Sequence, residues 1–269
     1  MKEIIREFFG FGELGFTREP EGYMSWQHLT FVTALMVIMV AFAVVLGKRN
    51  RSADDKTKNK VIVISAFLID GFELLKIIIH CFDSKDAMAW VDMLPLFLCS
   101  IQLITIPLAA FSKGRIREAA LDFVSIFGLL GAILGVYFAG NNYAAYPVIS
   151  FVNVVSGITH SISGFVALYI MIVGMSSMKK RNIPITYIIL TAFAVAAYIA
   201  NILGDYNYMF LMRGDGTPYD ILYNLVGGNS VIYPIGVVLL LFIYIILFNL
   251  VFNYVKQMLI KRTPDNTRI

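Results

Sequence analysis

VIVISAFLIDGFELLKIIIH, residues 61–80, decides the fold class. It has the length of a membrane-spanning helix, roughly 20 residues. Yet Asp70, Glu73, Lys76 and His80 recur in it at steps of three or four, a spacing that puts them on one helical face. An ionisable group in hydrocarbon costs at least about 2.5 kcal/mol, so such a face looks into a bundle or a wet cavity. The stretch therefore reads as one span among several, with a polar side turned inward.

Six further apolar runs lie at about 29–47, 92–111, 119–139, 147–175, 184–204 and 231–255. With 58% hydrophobic and 15% charged residues, the composition excludes an ordinary soluble domain. The expected fold is all-α, a polytopic membrane helical bundle of about seven transmembrane spans. The divisions are an N-terminal interfacial segment (1–28), a seven-span membrane domain (29–256) and a basic cytoplasmic tail (257–269). The first apolar run is too long and too far from the N-terminus for a cleaved signal peptide. Ahead of it, MKEIIREFFGFGELGF (Met1–Phe16) sets Ile4, Ile5, Phe8 and Phe9 against Lys2, Glu3, Arg6 and Glu7. That pattern suits a short helix lying in the membrane interface or, alternatively, a frayed tail.

Charge gives the orientation. Lys48, Arg49, Arg51, Lys56, Lys58 and Lys60 follow the first span, Lys113, Arg115 and Arg117 the third, and Lys179, Lys180 and Arg181 the fifth. The alternate loops hold only Lys85 and Arg213. The positive-inside rule then predicts N-out and C-in. The net charge of +4 is a topology signal, not a sign of nucleic-acid binding.

The polar groups gather in the outer half. At 1.5 Å per residue, a third span entering at Asp92 puts Cys99 about 10 Å below the outer surface, near Glu73 and Lys76, with Asp70 somewhat deeper. His160, on a face with Asn153 and Ser156, reaches about mid-membrane in the fifth span. Asn201 and Asp205 close the outer end of the sixth. Asp92 as a cap and Pro95 in the first turn would place Cys99 near a helix N-terminus, where a thiolate is favoured. The residues alone admit two readings of Cys99, a nucleophile or a small apolar side chain. His160 likewise reads as a general base or as a packing histidine at a small-residue contact. Asp70, Glu73 and Lys76 read as catalytic support or as an internal ion pair that fixes register. His28 and His80 are expected at interfaces. Gly128, Gly131 and Gly135 are expected to mark a close helix contact. A Cys81–Cys99 disulfide is disfavoured by the difference in depth. The loop from Asp205 to Ser230 is a connector or a lid. Phosphate loops, HExxH helices and cysteine-rich metal sites are absent from the sequence, so no cofactor or metal is expected.

LPLFLC (Leu94–Cys99) resembles the LPLHLC-type segment of the YwaF-like integral membrane proteins. The resemblance continues at His160, at NYMFLMRGDGTPYDIL (Asn207–Leu222) and at Tyr233-Pro234. That family is related to an animal membrane acyltransferase that remodels ether phospholipids, and the resemblance implies Cys99 and His160 as a catalytic pair. Phe97 stands where the family often has histidine, and Ser161 where glycine is common.

The expected function is a membrane-embedded lipid acyltransferase in the cell membrane, with its site toward the outer leaflet. Cys99 is the nucleophile and His160 the base, oriented by Glu73 or Asp70, with Gln102 or Asn153 donating to the oxyanion and Lys76 and Asp205 in support. The partners are a membrane phospholipid and a lysophospholipid, with no soluble cofactor. The alternative is a small-solute transporter or lipid-binding protein using the same polar cavity.

Overall fold

The computed structural model describes residues 2–11 and 16–262, with side chains over 5–11 and 16–258. Every regular element among these residues is helical. The chain forms two compact units, Met1–Ser176 and Ser177–Ile269.

The first unit holds α1 (Lys2–Phe9), α2 (Trp26–Asn50), α3 (Asp55–Ser84), α4 (Gln102–Phe111), α5 (Gly114–Tyr137), α6 (Gly140–Ala145) and α7 (Phe151–Ile172). Side-chain caps start three of them. Ser25 accepts from His28 N at 3.2 Å, Asp54 from Thr57 N at 2.9 Å and Ser150 from Asn153 N at 3.3 Å. Each satisfies a first-turn amide that the helix cannot.

The centre of this unit is α5. Its spanning window is 72% buried, against 22% for α2. Ile62, Ile106, Val124 and Ile170, one each from α3, α4, α5 and α7, share one apolar cluster, and Val32, Met36, Val136 and Tyr143 share another with α2 and α6. Glycine and alanine let α5 and α7 approach closely. The carbonyl oxygen of Ser163 lies 2.9 Å from where a Cβ at Gly128 would sit, and Ala132 Cβ 2.6 Å from one at Gly164. The helix α1 is held by the rings of Phe8 and Phe9 against Phe151, at centroid distances of 6.0 and 4.9 Å.

Among the described residues five helices are long and apolar enough to cross a membrane: Trp26–Asn50, Gly114–Ala145, Phe151–Ile172, Lys180–Gly204 and Ile232–Met258. The 30-residue α3 has the length, but Asp70, Glu73 and Lys76 interrupt its apolar stretch. The expected span at 92–111 is not one helix. A 3-10 turn over Ala89–Met93 ends at Leu94, whose ψ of 142° is extended, and α4 begins only at Gln102. Pro95 is the physical reason. It has no N–H to give, and it drives the residue before it out of the helical region. The 10 residues of α4 cover about 15 Å, half of the hydrocarbon thickness.

The second unit holds α8 (Ile183–Gly204), α9 (Tyr219–Leu225) and α10 (Ile232–Arg262). Tyr187 joins α8 to α10, stacked on Phe242 at 4.2 Å and donating to its carbonyl at 3.3 Å. The loop after α8 is folded on itself. Asn201 accepts from Tyr208 N at 2.7 Å and donates to its carbonyl at 3.0 Å. Asn207 accepts from Met212 N at 3.0 Å and donates to Asp215 Oδ2 at 2.7 Å. Of the basic tail expected at 257–269, residues 257–262 continue α10, and 263–269 lie outside the described residues.

Candidate functional site

The Leu94–Ile101 segment is irregular backbone between two apolar elements. At membrane depth, non-helical backbone is tolerated only where protein buries it or where it lines a cavity. Cys99 lies in this segment, within the turn that enters α4: Ile101 N donates to Phe97 O at 3.1 Å and Gln102 N to Cys99 O at 3.4 Å. A helix start beside Cys99 is thus present, but it belongs to Gln102. Asp92 sits inside the preceding 3-10 turn, and the N-cap position of α4 is Ile101. Phe97 is the most exposed residue in the LPLFLC stretch.

Two glycines of α5 bring the sequence candidates together. A Cβ at Gly131 would stand 3.4 Å from the Cα and Cβ of Cys99. A Cβ at Gly135 would overlap the imidazole of His160, with Nε2 the nearest atom. Positions 131 and 135 are one turn apart on one face, about 6 Å between their Cβ positions. Cys99, from the irregular segment, and His160, from α7, therefore meet one face of α5 a turn apart. The two side chains are not hydrogen-bonded to each other; Cys99 Sγ is 4.0 Å from Ser100 Oγ. Both cysteines of the chain are free, so no Cys81–Cys99 bridge forms.

Glu73 and Lys76 form the expected ion pair on α3. Lys76 Nζ is 2.6 Å from Oε1 and 2.8 Å from Oε2 of Glu73, with both side chains largely buried. Asp70 sits lower on the same face with Oδ1 buried and without a partner. Neither carboxylate is hydrogen-bonded to His160.

Gln102, the first residue of α4, is fully buried. Its Oε1 accepts from Thr105 Oγ1 at 3.1 Å, while Nε2 is buried with no partner. It therefore keeps two N–H donors unspent, three residues after Cys99. Asn153 differs. Its Nδ2 donates to the carbonyls of Tyr146 and Pro147 at 3.2 and 3.0 Å, so its amide hydrogens brace the α6–α7 loop. Asp205 belongs to the second unit, exposed at the left-handed residue that ends α8.

His28 stands in the first turn of α2, the span end where the sequence expects it, and protein covers it there. His28 is fully buried, its Nδ1 accepting from Met24 N and its Nε2 meeting Val136 O, each at 3.2 Å. Its ring lies 3.9 Å from that of Tyr143. Both ring nitrogens are thus matched as in a neutral imidazole. The seating role of Gly131 and Gly135 was missed. Their i, i+4 spacing signals a close approach without saying that side chains, and not another helix backbone, fill the space. Among the described residues no group of three His, Cys, Asp or Glu is placed to hold a metal ion.

One family model, that of the TMEM164 family, matches residues 23–249, a stretch that contains every candidate site residue named above. No curated protein and no solved structure matches the chain.

Proposed function

The chain belongs to the TMEM164 family, a family of transmembrane proteins, and we propose that it is a membrane-embedded acyltransferase that moves an acyl chain between phospholipids. The observation that carries this reading is the seating of Cys99 and His160 one turn apart on the Gly131–Gly135 face of α5. The likeness of LPLFLC to the YwaF-like segment supports it.

In the first half-reaction His160 accepts the thiol proton, and Cys99 Sγ attacks the ester carbonyl of a donor phospholipid. The S–C bond forms and the ester C–O bond breaks. The departing lysophospholipid oxygen takes the proton from the imidazolium. In the second half, His160 accepts the hydroxyl proton of an acceptor lysophospholipid. That oxygen attacks the thioester, and the thiolate leaves and is reprotonated. The unspent Nε2 donors of Gln102 serve the oxyanion, where one such donor contributes a factor of about 10²–10³. The Lys76–Glu73 pair, neutral overall, supplies a fixed dipole on α3. A transporter would instead need a polar path from this region toward the N-terminal ends of α3 and α5. Apolar side chains occupy that course, among them Ile62, Ile69, Ile106 and Val124.

The proposed topology is N-out and C-in with seven crossings, the third of them broken at Pro95, and the basic loop alternation supports it. Single cysteines at Asn59 and Asn142 then label from opposite faces of intact cells; labelling from one face contradicts the topology. The activity is tested with purified protein in liposomes by following acyl transfer from labelled phospholipid to lysophospholipid. Wild type transfers label and the near-isosteric Cys99→Ser does not. Equal transfer by both rules out the thiol mechanism.

A further inference from the structure

We propose that Gly135 is a positioning residue for His160: the missing side chain at 135 is the seat that lets the imidazole lie along α5 beside Cys99. The inference rests on the reading of Cys99 and His160 as a reacting pair and adds what holds one member in place.

Three glycines on α5 meet three kinds of neighbour. Gly128 meets backbone, the carbonyl oxygen of Ser163 at 2.9 Å from its would-be Cβ, and Ser163 Oγ donates to Gly128 O at 3.4 Å. That is a helix-to-helix contact, and a methyl group there must push two helices apart. Gly131 meets Cys99 at 3.4 Å, a distance at which a methyl group makes ordinary contact. At Gly135 the three nearest atoms all belong to the ring of His160, and there a methyl group and the ring cannot coexist. The ring ends a side chain with two rotatable bonds, so it can swing away while α7 stays where it is. Among the described residues no hydrogen bond holds the ring in place, so the space over Gly135 is the constraint the structure offers. Gly135 lies inside a regular helix without a positive φ. Alanine is the better helix former at such a position. Gly135→Ala therefore leaves the fold at least as stable and displaces the imidazole, the reverse of what a structural glycine does on substitution.

The test uses the full chain in liposomes with Cys81→Ser, which leaves Cys99 as the single thiol. The readouts are the rate of Cys99 alkylation by N-ethylmaleimide at fixed pH, the unfolding temperature and acyl transfer. Loss of the base slows alkylation by at least about tenfold in His160→Ala. Gly135→Ala produces the same loss with an unchanged or raised unfolding temperature. The double variant is no slower than either single one, because both act through the same ring. Gly128→Ala, which presses on the α7 backbone and not on either reacting group, lowers the unfolding temperature. The proposal is overturned if Gly135→Ala alkylates like wild type, if it slows a protein that already lacks His160, or if Cys99 reacts independently of His160. Should the expected alkylation pattern appear in a wild type that transfers no acyl group, the seat stands and the acyltransferase reading falls.

Discussion

The two ends of the first unit treat their polar groups in opposite ways. At the end where α3 and α5 begin and α7 stops, a network closes on itself. Arg117 donates to Asp55 at 2.9 Å and to Asn59 Oδ1 at 3.1 Å, and Asn59 donates to Ala110 O at 2.9 Å. Asn50 donates at 3.0 Å to the hydroxyl of Tyr169, which donates at 3.3 Å to Lys58 O. Residues from α2, α3, α4, α5 and α7 take part. From the middle of α3 onward the accounting stays open. Asp70 Oδ1, Gln102 Nε2 and Asn153 Oδ1 are buried without partners, and Cys99 and His160 lie near each other unbonded. A buried polar group left unmatched costs about 1–3 kcal/mol. Matched groups hold five helices together; unmatched ones are what a substrate can complete. The closed end is not perfect, since Ser112 Oγ is also buried without a partner there. A polar cavity of about 370 Å³ opens beside it, lined in part by Lys58, Arg117 and Glu118.

Substitutions at the two ends should therefore separate activity from stability. The largest effect is expected for His160→Ala, which removes the proposed base and costs turnover a factor of about 10²–10⁴ while the unfolding temperature barely moves. Gln102→Met follows, with a loss of about 10²–10³ in turnover and a change in stability of no more than about 1–2 kcal/mol, since removing the unsatisfied Nε2 offsets the lost acceptor of the Thr105 hydroxyl. A Gln102→Met protein with wild-type turnover per folded molecule would make Gln102 scaffold. At the closed end the pattern reverses. Tyr169→Phe removes a hydroxyl that both donates and accepts, and chemical denaturation should show a loss of about 1–2 kcal/mol with turnover per folded molecule intact.

The smallest effect concerns the cap of α3. The Thr57 hydroxyl and N–H hold the Asp54 carboxyl below its ordinary value of 3.8. A lowered folded value means that the cap stabilises at pH above the ordinary value, and that this contribution disappears as pH falls through the lowered one. The stability gap between wild type and Asp54→Ala should be steady from neutral pH to about 5 and narrow below 4. A gap that widens on acidification contradicts the capping account.

Much of this contrast is legible in the sequence. The three-to-four spacing of Asp70, Glu73 and Lys76 predicts a shared face and an i, i+3 ion pair, because helical geometry fixes which side chains meet. The long apolar runs predict α2, α5, α7, α8 and α10 for the same reason. The break before α4 was within reach as well. Pro95 in a first turn and Pro95 as a helix stop are both allowed locally, and only the tertiary packing around Leu94–Ile101 decides between them. The burial of His28 is not legible in the sequence, because the α5 and α6 groups that cover it are more than 100 residues away. The seats at Gly131 and Gly135 depend on what comes to fill them, which no local pattern records.

The central claim, that the open end performs acyl transfer through Cys99, is tested most directly by mass spectrometry of the protein after incubation with phospholipid carrying a labelled acyl chain. The account predicts one labelled acyl group on the peptide containing Cys99, removed by hydroxylamine, formed more slowly in His160→Ala and absent in Cys99→Ser. Acyl transfer to lysophospholipid with Cys99 never acylated, or an acyl group found on another residue and unaffected by Cys99→Ser, would contradict it.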